Sequence, residues 1–213
     1  MKVLALVYPG MTLQDLVGPI QAWSFLPDYE VQFAWHEAGP VPTDSGLSVQ
    51  ATHSFEDCWE NPDVLMVGGG AKPTIDLLGD QKVLSFLAER GERAKWVASV
   101  CTGSLLLGAA GLLKGYRASV HWGAREQLAQ FGAELSEERV CIDRNRLTGG
   151  GITSGIDFGI AIAGLWAGEP VGRMIELILE YAPEPPYGTG RPELADPATL
   201  AAGQQALGQA MGF

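Results

Sequence analysis

A chain of 213 residues is long enough to bury a sizeable core, and hydrophobic residues at 46% with charged residues at 18% exclude a disordered or fibrous polymer. Its formal net charge of −11 and the lack of a basic stripe exclude a nucleic-acid footprint, which needs clustered lysine and arginine.

The amino terminus, "MKVLALVYPG", reads as a strand over 2–8 that Pro9-Gly10 stops, and not as a signal peptide. A helix is predicted over 18–26, with Pro19 in its first turn, where a missing amide hydrogen does no harm. "EVQFAWHEA" (30–38) alternates like a strand, and "LSVQAT" (47–52) reads as part of a hairpin. "DVLMV" (63–67) is a buried strand that ends abruptly at Gly68-Gly69-Gly70. The stretch 74–94 carries a helix, "KWVASV" (95–100) the next strand, and "TGSLLLGAAGLL" (102–113) the helix after it. "RASVH" (117–121) reads as a short strand, 123–132 as a helix, and 139–151 as a hairpin around Asp143-Arg144-Asn145. Two more helices are predicted over 154–168 and 170–182, then a proline- and glycine-rich strap over 183–193 and a closing helix over 197–211.

Buried strands alternating with helical periods predict one doubly wound α/β domain over 1–213, with a mostly parallel sheet and helices on both faces. Residues 183–213 form its strap and helix. The longest membrane-like run, "GIAIAGLWAG", is too short to span a bilayer, so a soluble, cytoplasmic protein is expected. Three cysteines are an odd number without a signal peptide, and no Cys-x-x-Cys or paired-histidine motif occurs. Neither a disulfide framework nor a metal site is expected.

Ligands of open parallel sheets bind beyond the carboxyl ends of the strands, and Cys101 stands at such an end, between "KWVASV" and its helix. Helix amino termini favour thiolate, so an ionised and accessible nucleophile is expected there. Thr102, Gly103 and Ser104 permit a sharp turn, as in the strand-turn-helix corners on which hydrolases hold a nucleophile. Asp15 follows the first strand and can project into the same crevice, while Gly69 and Gly70 can offer backbone amides to a developing oxyanion. Plainer roles are open to each: Asp15 or Thr102 as a helix cap, the glycines as a turn, a cysteine as packing. Cys58 and Cys141 read as packing residues. His121 ends "RASVH" and reads either as a base reaching the crevice or as a core residue. A glutamine-amidotransferase triad would want a His-x-Glu near the carboxyl terminus, and none follows residue 121.

"LMVGGG", "SVCTGSLLLGAAGLLKGYRASVHW" and "NRLTGGGITSGIDFGIAI" resemble, in order, the strand, elbow and late-helix signatures of the ThiJ/PfpI (DJ-1) superfamily. "LQDLVGP" and "EYAPEPPYGTG" resemble its isonitrile-hydrating branch. That resemblance implies a flavodoxin-like, class I glutamine amidotransferase-like fold and a cofactor-free homodimer that adds water to R–N≡C, giving an N-substituted formamide. It makes Cys101 the nucleophile, Asp15 the proton donor and acceptor and Thr102 a helper. The Ile152 amide becomes a partner of the thiolate, and the Gly70 and Thr102 amides an anion-binding corner. Thr102 stands where protease-like members place histidine, which argues against peptidase activity. The same superfamily leaves two alternatives, an α-oxoaldehyde (glyoxalase- or deglycase-like) enzyme and a non-catalytic oxidation or ligand sensor.

Overall fold

The computed structural model describes residues 1–212; Phe213, the last residue of the expected strap and helix, lies outside the described residues. The chain runs β1 (Lys2–Leu6), α1 (Leu13–Trp23), β2 (Glu30–Trp35), the pair β3 (Gly39–Pro42) and β4 (Ser48–Ala51), β5 (His53–Ser54) and β6 (Val64–Val67). It continues through α2 (Ala71–Leu77), α3 (Gln81–Arg93), β7 (Trp96–Val100), α4 (Gly103–Ala109), β8 (Arg117–Ala118), α5 (Arg125–Ala129) and β9 (Glu134–Leu135). The last elements are β10 (Val140–Asp143), β11 (Arg146–Gly149), α6 (Ser154–Ala167), α7 (Glu169–Ile178) and α8 (Pro197–Met211).

Seven strands form the central sheet in the order β10-β11-β7-β6-β1-β2-β5, parallel throughout except where β10 returns antiparallel on β11. This is the doubly wound, flavodoxin-like fold. The interior strands read as continuous apolar runs because helices cover both faces: every residue of "VLMV" in β6 is buried, as are the last four of β1. Strand order reverses between β1 and β6, and that switch point leaves a crevice at their carboxyl ends.

Helix α1 begins five residues earlier than its sequence pattern suggests, so Pro19 lies inside the helix and not in its first turn. Tertiary bonds set the start: Thr12 N–H donates to Gly69 O at 2.8 Å, and Leu13 N–H to an Asp44 carboxylate oxygen at 3.2 Å. Close packing on α6 accommodates the interruption. A Cβ on Gly159 would stand 2.9 Å from Pro19 Cα, and one on Gly18 3.1 Å from the Gly155 carbonyl carbon.

The predicted 74–94 helix is two helices, because Asp80 caps α3 by accepting from Lys82 and Val83 N–H at 2.9 and 3.1 Å. "RASVH" contributes only Arg117–Ala118, which pairs with β9 in a separate two-stranded sheet. Its end turns away because Ser119 N–H is taken by Thr148 Oγ1 at 2.8 Å. The hairpins at 39–51 and 140–149 form, the second turning through Arg144 at φ 54°. Between Ala182 and Asp196 the only regular turn among the described residues is Pro192–Leu194. Helix α8 then returns the chain to the body, with Leu207 against Gly123 and Met211 buried.

Candidate active site

Three strand ends meet at the switch point. After β7, Cys101 adopts φ 60°, a left-handed conformation that a non-glycine residue takes only where surrounding structure enforces it. Its N–H is held by Gly150 O at 2.7 Å, so the loop after β11 locks the corner. After β1, Asp15 is fully buried in the first turns of α1. After β6, Gly69 N–H donates to Asp15 Oδ2 at 2.8 Å, whereas Asp15 Oδ1 has no partner among the described residues. Gly69 must be glycine: a Cβ there would lie 2.3 Å from Thr102 Oγ1 and 2.6 Å from Thr102 N.

Burial pushes the Asp15 carboxyl up to about 8, with nearby Asp44 adding to the rise and the Gly69 N–H and Cys101 opposing it. The Cys101 thiol is also pushed up, first by burial and then by Asp15. This corrects the expectation of an ionised, accessible sulfur. Cys101 is 5% exposed, and desolvation outweighs the short helix behind it. Near neutral pH the resting pair is therefore a thiol beside a carboxylic acid, whose titrations are coupled.

The oxyanion corner also differs from expectation. Gly69 N–H is engaged by Asp15, and Gly70 N–H donates to Thr102 Oγ1 at 3.0 Å, so both glycine amides are occupied at rest. Thr102 does not cap α4 with its side chain. Its hydroxyl instead meets Thr74 Oγ1 at 3.1 Å, which meets Tyr8 OH at 2.9 Å.

The side-chain contacts just described include neither His121 nor Ile152. Both line a cavity of about 550 Å³ that is also bounded by Trp122, Arg139, Arg191 and Leu194. His121 Nδ1 accepts from Gly123 N–H at 3.2 Å, capping the turn Trp122–Ala124. Burial, then Arg125, lowers its pKa, so it faces the cavity as neutral imidazole with Nε2 carrying the proton. Ile152 is 39% exposed. Gly150 joins the two regions: it borders the cavity, and its carbonyl receives the Cys101 amide. Arg139 braces this wall, pairing with Asp157 at 2.6 Å, while Tyr181 OH donates to the same carboxylate at 2.8 Å. Trp23 is fully buried and its indole N–H donates to Gly159 O.

Sequence reading missed Tyr8, Thr74 and Asp44. Tyr8 carried no local signal beyond being a polar group in an apolar run, Thr74 is one polar residue among others in "AKPTIDL", and Asp44 joins only through the loop between β3 and β4. No group of three or more His, Cys, Asp or Glu among the described residues could hold a metal ion. No helix among them is long and apolar enough to cross a membrane.

A doubly wound α/β sheet with a cysteine on a strained corner after β7, facing a buried carboxyl that follows β1 two strands away, defines a class of thiol-bearing flavodoxin-like proteins. The chain belongs to the DJ-1/PfpI family, whose profile matches residues 1–164. It is 42% identical over 195 residues to the isonitrile hydratase of Pseudomonas putida, an alignment covering 92% of this chain and 85% of that protein. A crystal structure of a ThiJ/PfpI family protein from Pseudomonas syringae superposes with a TM-score of 0.93 at 39% identity, over 100% of this chain and 90% of that one. A deglycase from Thermococcus kodakarensis is 30% identical over 146 residues, covering 68% of this chain and 87% of that protein.

Proposed function

We propose that this protein hydrates isonitriles to N-substituted formamides, with Cys101 as nucleophile and Asp15 as proton shuttle. The observation that carries the reading is the carboxyl of Asp15, buried beside the thiol and pushed up to about 8, which supplies an acid at neutral pH. The 42% identity with an isonitrile hydratase supports the choice of substrate. In the first step the sulfur adds to the terminal carbon of R–N≡C. Asp15 protonates that carbon and takes up the thiol proton, leaving the thioimidate R–N=CH–S–Cys101 and a protonated Asp15. Water then adds to the imidate carbon, one of its protons passing through Asp15 to nitrogen. Collapse of this adduct breaks the C–S bond, returns a proton to sulfur and frees R–NH–CHO. The chemistry requires no cofactor.

In this proposal Thr102 holds the Gly70 turn against the nucleophile, and the Ile152 amide serves as a donor to the sulfur once ionised. The Gly69, Gly70 and Thr102 amides form the anion corner after substrate displaces the resting contacts. The cavity bordered by His121 and Ile152 takes the R group, with access to the sulfur gained by movement of the Gly150–Ile152 turn. The chain acts as one unit, a cytoplasmic homodimer with residues 183–213 as strap and helix, binding neither nucleic acid nor membrane.

One observation favours a second reading, α-oxoaldehyde chemistry: the 30% identity with a deglycase. Assays of cyclohexyl isonitrile and methylglyoxal side by side, with Cys101→Ala as control, decide between them. Formamide formation lost in Cys101→Ala is the expected result, and turnover of the aldehyde alone reverses the assignment. The oxidation-sensor alternative loses ground because a buried, protonated thiol reacts slowly with peroxide.

A further inference from the structure

The wall of the cavity holds a hydrogen-bond donor whose direction the backbone fixes. His121 Nδ1 accepts from Gly123 N–H at 3.2 Å, so that nitrogen carries no hydrogen and the neutral ring keeps its proton on Nε2. Nε2 has no partner among the described residues. The ring edge that bears it faces Gly151, where a Cβ would stand 3.2 Å from His121 Cδ2 and 3.7 Å from Nε2. His121 and Gly151 line the cavity and Gly123 does not, so the donor is presented on the cavity side. Charged side chains of the wall are engaged with one another. Arg139 pairs with Asp157 at 2.6 Å, Arg125 with Glu137 at 3.5 Å, and Glu138 with Arg117 at 2.8 Å. Arg191 and Glu193, of opposite sign, both sit exposed on the strap. Apolar surface comes chiefly from Val120, Trp122, Ile152 and Leu194.

We propose that His121 is a specificity-determining residue whose Nε2–H donates to a neutral acceptor on the substituent of the isonitrile, favouring ester-, amide- or ether-bearing substrates over plain alkyl chains and over carboxylates. The inference rests on the proposed hydration and names the substrate class within it. Filling the cavity strips water from the donor. An alkyl substituent leaves the N–H unpaired, whereas an oxygen acceptor takes the place of the lost water. A carboxylate would need a cation to offset its desolvation, and Arg125 and Arg139 are already committed to carboxylates of the wall. The ring supplies no cation, because burial and Arg125 hold it neutral. One directed donor among apolar side chains is the usual means by which a pocket fixes the orientation of a small molecule.

The test compares kcat/KM for ethyl isocyanoacetate, pentyl isonitrile and potassium isocyanoacetate in the full-length wild type, His121→Phe, His121→Asn and His121→Gln. Wild type should prefer the ester to both others. Phenylalanine keeps the ring and removes the donor, so the ester-to-pentyl ratio should fall about fivefold to tenfold, the worth of one neutral hydrogen bond. Glutamine, whose amide reaches the Nε2 position, should hold the ratio within about twofold of wild type. An unchanged ratio in His121→Phe overturns the proposal. An equal fall in His121→Gln also overturns it, pointing to packing, as does a wild type that prefers the carboxylate. Should His121→Phe fail to fold, His121→Asn decides alone: it keeps an acceptor for Gly123 N–H while its amide stops short of Nε2, and an unchanged ratio there overturns the proposal. A second readout needs no turnover. In ¹⁵N-histidine-labelled Cys101→Ala, ethyl isocyanoacetate should displace the His121 Nε2 resonance further than pentyl isonitrile does, and equal displacement overturns the proposal. Absence of turnover with every isonitrile sinks the hydration reading, and this titration still decides what His121 recognises.

Discussion

Replacing Asp15 with asparagine should abolish turnover and at the same time stabilise the protein. The carboxyl ionises near 3.8 in an unfolded chain but at about 8 in the fold. Between those values the unfolded chain releases a proton that the folded chain keeps, so rising pH favours unfolding. At pH 7 the interval is about three units, or about 4 kcal/mol at ~1.36 kcal/mol per unit. Asparagine keeps an acceptor for Gly69 N–H and abolishes the titration, so a gain of about 2–4 kcal/mol is expected at pH 7 after allowing for the altered contact with Cys101. That corresponds to about 5–15 °C in Tm for a chain of this length. Urea unfolding of both proteins at pH 4, 6 and 8, at one protein concentration, supplies the measurement. The gap should be smallest at pH 4 and widen up to about pH 8. A variant less stable than wild type at pH 7, or a gap that does not change with pH, would refute the claim that a buried neutral carboxyl sits at residue 15.

The same group sets the pH profile of the proposed reaction. Formamide formation should fall as pH rises through about 8, because Asp15 loses the proton it must deliver; a profile flat to pH 9 removes it as the acid. Gly69→Ala forces a Cβ to within 2.6 Å of Thr102 N and 2.3 Å of its hydroxyl. It should lose about 3 kcal/mol in urea unfolding and all turnover, and wild-type stability would mean that the turn is not packed as described. Asp80→Ala removes the cap of α3 and should cost about 1 kcal/mol with turnover unchanged. A loss of turnover there would tie α3 to the site.

The corner at Cys101 was legible because it is local: a buried run, a lone cysteine and small residues opening a helix lie within eight positions. The triple glycine was legible for the same reason. Asp15 was singled out, but its helix was begun too late, because contacts with Gly69 and Asp44 from distant segments outrank the local preference that Pro19 expresses. The chemical state of Cys101 was misread for a related reason. Strand-to-helix position argues for thiolate, whereas the depth of the sulfur depends on how α1, β6 and the β11 loop close around it. His121 shows a third kind of miss, in which two residues of a predicted strand form and the remainder turns toward the cavity, following Ser119 onto Thr148. Tyr8 and Thr74 were out of reach altogether. They meet the Thr102 hydroxyl only through contacts across three segments that no single stretch of chain contains.

The strap from Gly190 to Leu194 walls the cavity although it lies beyond residue 164, where the family profile ends. In the proposed reaction, bond-making and fit thereby belong to separate lengths of polypeptide: Asp15, Cys101 and Thr102 lie buried on the helix starts and turns that follow β1 and β7, while Arg191 and Leu194 arrive on a strap that contains no strand. A graft confined to this segment could redraw which molecules the protein admits and leave the reactive corner as it was. During synthesis the order is equally consequential, since the proposed nucleophile is made some ninety residues before the strap that walls the cavity.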